Sequence, residues 1–361
     1  MFLAWRDLVV AKGRFVLVSG VIMLVALLSA SLSGLANGLV DDGISGLRRL
    51  PLTHLAFQPG SDANFSRSML NETSMKPWAD ELGENASPVG VSFFNVRTTS
   101  GKTLDVSLFG VEAKSFLAPD QRSRAALSGP PGIVLSSEMT DQGIKVGDVL
   151  TVVGPDVELP VLGFTYGGTY GHADIAITSL KTWQELVYGP NAKGRFSAIA
   201  IKDNGSTDLK ALAASSDTVV LTKAQSYKGS PGYAAETATM TLIRTFLIVI
   251  ASLVVGAFFT VWTIQRTGQI GLLKALGASN AYVIKDALGQ LAVILVAATS
   301  TGILLATLAG LAISGSAPFR MTPSSLLSTG VILVVAGMAG ALVALRRITT
   351  IPPDTALRES V

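Results

Sequence analysis

The chain has no cysteine and only two histidines, His54 and His172, in 361 residues. The first absence excludes disulfides, thiolate metal sites and a cysteine nucleophile, so any folded domain must rest on its own core. Charge is scarce too: 15% of residues are Asp, Glu, Lys or Arg, and the net charge is +3. So small an excess offers no patch for phosphate backbones, and we expect no nucleic-acid partner. No G-x-x-x-x-G-K-[ST] loop occurs to cradle nucleotide phosphates, and neither H-E-x-x-H nor G-x-S-x-G is present. A membrane-anchored enzyme therefore finds no recognisable catalytic set, and we expect neither an enzyme nor an intrinsic cofactor. Internal repeats, low-complexity tracts and long charge runs are absent as well.

What the chain has is long uncharged runs, unevenly placed. There are 26 uncharged residues between Arg14 and Asp41, 21 from Thr245 to Gln265, 33 from Ala287 to Phe319 and 25 from Met321 to Leu345. About 20 residues at about 1.5 Å each cross the hydrocarbon layer, so each run spans once. The 33-residue run is too short for two crossings and a turn, and reads as one overlong helix ended by Pro318. The first run is too long for a signal-peptide core and reads as an anchor.

Orientation follows from the basic flanks, because Lys and Arg near span ends stay on the cytoplasmic side. Arg6, Lys12 and Arg14 precede the first span, Arg266, Lys274 and Lys285 follow the second, and Arg346, Arg347 and Arg358 follow the fourth. Both termini are expected on the cytoplasmic side of a plasma membrane, whose lipid surrounds the spans. The expected layout is a cytoplasmic segment 1–14, a span 15–40, an extracytoplasmic domain 41–238, a span 239–265, a cytoplasmic segment 266–286, spans 287–317 and 324–345, and a cytoplasmic tail 346–361. The fold class is an α-helical membrane protein with four transmembrane helices, one plus three, and a large α+β extracytoplasmic domain.

Within 41–238, short β-like runs (VSFFNV, DVSLFGV, GIVLSSEM, DVLTVVG, LPVLGFTY, ADIAITS, SAIAIKD, TVVLTKA) alternate with helical LKTWQELVYG and STDLKALAAS. Two subdomains are possible on this pattern, and Gly129-Pro130-Pro131-Gly132 is the best boundary between them.

Four stretches carry a resemblance: AWRDLVVAKGRF before the first span, GLANGL at its outer end, GIKVGDVLTVVG in the domain and RTGQIGLLKALGAS after the second span. With them the chain resembles the permeases of MacB-type (type VII) ABC transporters, most of all the DevC and HrtB branch with its haem-efflux members. The resemblance implies a homodimer of permeases bound to two copies of a separate ABC ATPase that hydrolyses ATP. It also implies mechanotransmission, in which ATP-driven motion works the outside domain. The segment Gly271, Leu272, Leu273, Lys274, Ala275, Leu276, Gly277, Ala278 is similar to the family's coupling helix, although by composition alone it suits a helix lying on the headgroups. A rival reading is an FtsX-like regulator that drives a cell-wall hydrolase; its longer N-terminal region and smaller domain fit this chain less well.

A haem substrate needs an apolar slot, an axial ligand and cations for its propionates. Tyr166, Tyr170 and His172 share the glycine-rich FTYGGTYGHAD, while Tyr233, Glu236, Met240 and Arg244 open the second span. Tyr233, with Tyr170 or Tyr166, is the candidate pair to ligate haem iron or stack on the ring. Tyr233 suits an interfacial aromatic belt equally, and the tyrosine loop suits a plain turn. Arg244 meets a substrate carboxylate, snorkels, or pairs with Glu236. Gly34 and Gly38 form a G-x-x-x-G that suits helix contact across the dimer or a flat ligand slot.

Overall fold

The computed structural model describes residues 12–192, 194–265, 268, 270, 277–313 and 318–345. The chain divides into two compact units, Val40–Glu236 and the remainder, Met1–Leu39 with Thr237–Val361.

The second of these is helical. Helix α1 runs Lys12–Arg49, longer than the expected span, and its residues to Leu39 belong here. Among the described residues, four helices are long and apolar enough to cross a membrane. The sheet unit begins at Val40 with the last residues of α1, and its first strand is β1 (His54–Phe57). Next come α2 (Glu72–Leu82), β2 (Ala86–Thr98), β3 (Thr103–Val111), α3 (Gln121–Leu127), β4 (Ile133–Ser136) and β5 (Val149–Val152). They are followed by β6 (Val157–Thr165), β7 (Thr169–Tyr170), β8 (Ala173–Ser179), α4 (Leu180–Tyr188) and β9 (Ala198–Ile201). The unit ends with α5 (Leu209–Ser215), β10 (Val219–Thr222), α6 (Lys223–Ser226) and the first turn of α7 (Tyr233–Gln265). The helical unit is completed by α8 (Asn280–Ile313) and α9 (Pro323–Leu345).

All ten strands join one sheet. β2, β3, β8, β4, β6 and β5 pair in a closed ring, because the far end of β2 (Val96–Thr98) turns back onto β5. The near end of β2 (Ala86–Val89) instead pairs with β9, which continues to β1 and β10. The Gly129–Gly132 stretch is therefore not a subdomain boundary: β4 starts directly after it and pairs with both β6 and β8.

Both faces of the sheet are covered, as the apolar runs require. One core holds Val96, Leu108, Ile133, Leu135, Leu150 and Val161; the other holds Phe57, Phe65, Val91, Phe109, Tyr170 and Ile177. Trp183 of α4 lies flat on β2 and β3 where glycines leave room, since a Cβ at Gly90 or Gly110 would stand 2.3 or 2.4 Å from its side chain. Short caps close the helices: Asn71 accepts from Thr73 and Ser74, and Ser179 from Thr182.

In the helical unit, Val18, Ile22, Val255, Phe259, Leu291 and Leu295 form the core. Small residues allow close approach there: a Cβ at Gly302 would stand 2.4 Å from the carbonyl of Met23, and one at Gly340 2.3 Å from that of Ser252.

Candidate functional site

Within the sheet unit, the candidate residues gather on one short turn. β7 and β8 pair Tyr170 with Ala173, leaving Gly171 and His172 as a two-residue loop. Both take positive φ, 60° and 64°, the pattern of a type I′ turn. The expected glycine-rich loop is thus a tight hairpin, and the last residues of α1 lie along it. Gly171 N donates to the Gly43 carbonyl at 2.9 Å, and Ser45 Oγ is 2.9 Å from Thr169 Oγ1. Arg49 donates to the Gly167 carbonyl and stands 5.8 Å from the Tyr166 ring centre.

His172 is held from both sides. Its Nδ1 is 2.9 Å from Asp42 Oδ2 and its Nε2 is 3.0 Å from Glu236 Oε1. Burial disfavours the charged ring, but hydrogen bonds and charge from Asp42 and Glu236 outweigh it and raise the pKa. Both nitrogens are occupied, so His172 presents no free lone pair to iron. Asp174, two residues on, is pushed up to about 6 by burial and by the charges of Glu138 and Asp42.

The three tyrosines part company. Tyr170 is 1% exposed, stacked on Phe93 and edged by Phe65 and Phe109. It is a core residue, and the expectation that it ligates or stacks on haem is corrected: the alternation of β7 turns it inward. Tyr166 is half-buried, and its hydroxyl has no hydrogen-bond partner among the described residues. Burial pushes its pKa up to about 12 despite Arg49, so the phenol stays protonated. Tyr233, at the start of α7, is half-buried as well, its ring 6.3 Å from that of Tyr227.

The helical unit holds the other candidates. Arg244 Nη2 donates to the Ser33 carbonyl at 3.2 Å and to Asn37 Oδ1 at 3.5 Å, so Arg244 bonds α1 while Glu236 bonds His172. The expected Arg244–Glu236 pair is thereby corrected. Asn37 Nδ2 in turn donates to Ser325 Oγ of α9 at 2.9 Å. Met240 is half-buried on α7. Gly34 and Gly38 face the link between α8 and α9: a Cβ at Gly38 would stand 1.9 Å from the Pro318 carbonyl, and one at Gly34 2.5 Å from the Phe319 ring. Arg320 N donates to the Gly34 carbonyl at 2.9 Å. This G-x-x-x-G face is filled from within the chain, which corrects both its reading as a dimer contact and its reading as an open slot. Gly38 is accordingly not open to a ligand.

Of the coupling segment, Gly271, Leu272, Leu273, Lys274, Ala275 and Leu276 lie outside the described residues. Gly277 takes φ 94°, and Ser279 Oγ accepts from Tyr282 N at 3.2 Å as α8 begins. Sequence reasoning passed over Asp42, Phe319 and Asp174. A charged residue directly after an apolar run was the available signal for Asp42.

Residues 241–353 match the C-terminal FtsX-like permease family. A hemin transport system permease protein HrtB of Staphylococcus haemolyticus is 25% identical over 99% of both chains. One of the same name from Staphylococcus epidermidis is 22% identical over 99% of both. Among solved structures, the periplasmic region of MacB from Actinobacillus actinomycetemcomitans is 14% identical, with a TM-score of 0.35 over 52% of this chain and 94% of that one. The extracellular domain of YknZ, a noncanonic ABC-type transporter from Gram-positive bacteria, is 13% identical, with a TM-score of 0.32 over 45% of this chain and 88% of that one. With four apolar helices among the described residues, a family match confined to residues 241–353 and relatives aligned end to end, the chain is similar to FtsX-like permeases and to permeases named for hemin transport.

Proposed function

We propose that this permease extrudes haem, or a similar amphipathic molecule, from the outer leaflet as a homodimer with two copies of a separate ABC ATPase. Both termini and the Gly271–Ala278 coupling segment lie in the cytoplasm, and ATP-driven motion reaches the sheet unit by mechanotransmission. The observation that carries this reading is end-to-end similarity to permeases named for hemin transport. Tyr233 supports it as a half-buried tyrosine at the start of α7, able to stack on a planar ligand or ligate its iron. Tyr166 is a secondary contact through its ring, and Arg244 and Met240 are the candidates in the helical unit.

Absorbance spectra of the purified chain with added haem test this, for wild type, Tyr233→Ala and Tyr166→Ala. A Soret band that weakens or shifts in Tyr233→Ala is expected; an unchanged band and affinity in both variants would remove these tyrosines from the site. A wild-type protein that binds no haem and does not protect cells from it would favour the FtsX-like regulator.

A further inference from the structure

The two carboxylates around His172 do more than occupy its nitrogens. We propose that His172, as an imidazolium, is a positioning residue that fastens the end of α1 and the first turn of α7 to the β7–β8 turn, and so sets where Tyr233 stands. Only the role of Tyr233 in this rests on the haem-efflux reading.

A neutral imidazole has one N–H and one lone pair, whereas an ionised carboxylate only accepts. With Asp42 Oδ2 at 2.9 Å from Nδ1 and Glu236 Oε1 at 3.0 Å from Nε2, only the doubly protonated ring donates to both. A neutral ring aims its lone pair at one carboxylate and loses that bond. The backbone makes the same case. His172 sits at φ 64°, where Gly or Asn is the usual occupant, so its side chain is what its place in the turn supplies.

Neighbouring groups are shaped to this contact. Gly232, at φ 80°, leaves room for the carboxylate, since a Cβ there would stand 2.6 Å from Glu236 Oε1. Gly171 N and Ser230 Oγ both donate to the Gly43 carbonyl, at 2.9 and 2.8 Å. Tyr233 N donates to the Ser230 carbonyl at 3.3 Å and Glu236 N to that of Gly232 at 2.9 Å, placing Tyr233 and Glu236 in one helical turn. The charges facing the ring are acidic. Asp42 comes from α1 and Glu236 from α7; Asp174 of β8 and Glu138 belong to the same acidic group through Asp42 and Asp174. Of the two arginines that close α1, Arg48 pairs with Asp41 and Arg49 donates to the Gly167 carbonyl. The fastening is complete below the ordinary histidine pKa of 6.5 and opens as pH rises through the raised value.

With two histidines in the chain, ring-nitrogen NMR of the full-length protein reads His172 directly, with His54→Gln for assignment. Both ring nitrogens protonated at pH 6.5 and a midpoint above 6.5 are expected, moving down in Asp42→Asn and in Glu236→Gln. Hydrogen exchange of residues 233–240 gives the positional readout. Beyond the intrinsic pH effect, wild type should quicken about tenfold across the midpoint, the scale of one charge-assisted hydrogen bond. His172→Asn, which suits positive φ, should exchange at the faster rate at every pH. A ring that is neutral at pH 6.5, or wild-type exchange indifferent to the midpoint, overturns the proposal. An unchanged haem spectrum in Tyr233→Ala would remove Tyr233 from the substrate site and leave these two measurements intact.

Discussion

Tyr170 shows how much one side chain's meaning depends on its surroundings. Its hydroxyl is buried without a partner among the described residues, while its ring is packed among Phe65, Phe93 and Phe109. Tyr170→Phe should therefore leave stability unchanged or raise it, because an unsatisfied polar atom is removed at constant shape. Tyr170→Ala should lower it by about 3–5 kcal/mol through loss of the ring. Thermal unfolding of both variants checks the pair, and equal losses would contradict this packing. Asp174 carries a second expectation. Its folded pKa of about 6 lies above the ordinary 3.8, so ionisation opposes folding as pH rises through that interval. Asp174→Asn should stabilise the protein at pH 7.5, with the gain vanishing near pH 4; no gain at pH 7.5 would count against the burial of this carboxyl.

Among the elements, α1 does most to organise its own unit. Its glycine face takes the 318–320 link, and Asn37 bonds both Arg244 and Ser325. Gly38→Val should lower the melting temperature in detergent, since backbone carbonyl atoms leave the new side chain nowhere to go; overpacking of this kind costs about 1–3 kcal/mol. A variant that melts like wild type while the dimer falls apart would restore the dimer-contact reading. The strands were the more legible part. All eight β-like runs overlap strands, because alternating or continuous apolar character shows within a few residues. β1 (His54–Phe57) and α2, which contains Pro77, were not read from the sequence.

For the whole molecule, His172 and Asp174 act in the same direction. Each binds its proton more tightly in the folded chain, so the sheet unit should lose stability from about pH 4 to 6 through Asp174 and above 6.5 through His172. Unfolding of the full chain at pH 5.5 and pH 8 should show the lower melting temperature at pH 8, a difference that His172→Asn narrows. What the sequence determined by itself was the presence of four long apolar helices and the α+β character of the inserted domain, since apolar runs and their periods are local properties of the chain. Which charges meet was decided by the tertiary structure alone. Asp42, His172 and Glu236 are separated by 130 and 64 residues, and no local pattern links them. The closing of the sheet into a ring and the filling of the Gly34–Gly38 face by Pro318 and Phe319 are likewise non-local, because each depends on backbones that approach only after the chain has folded.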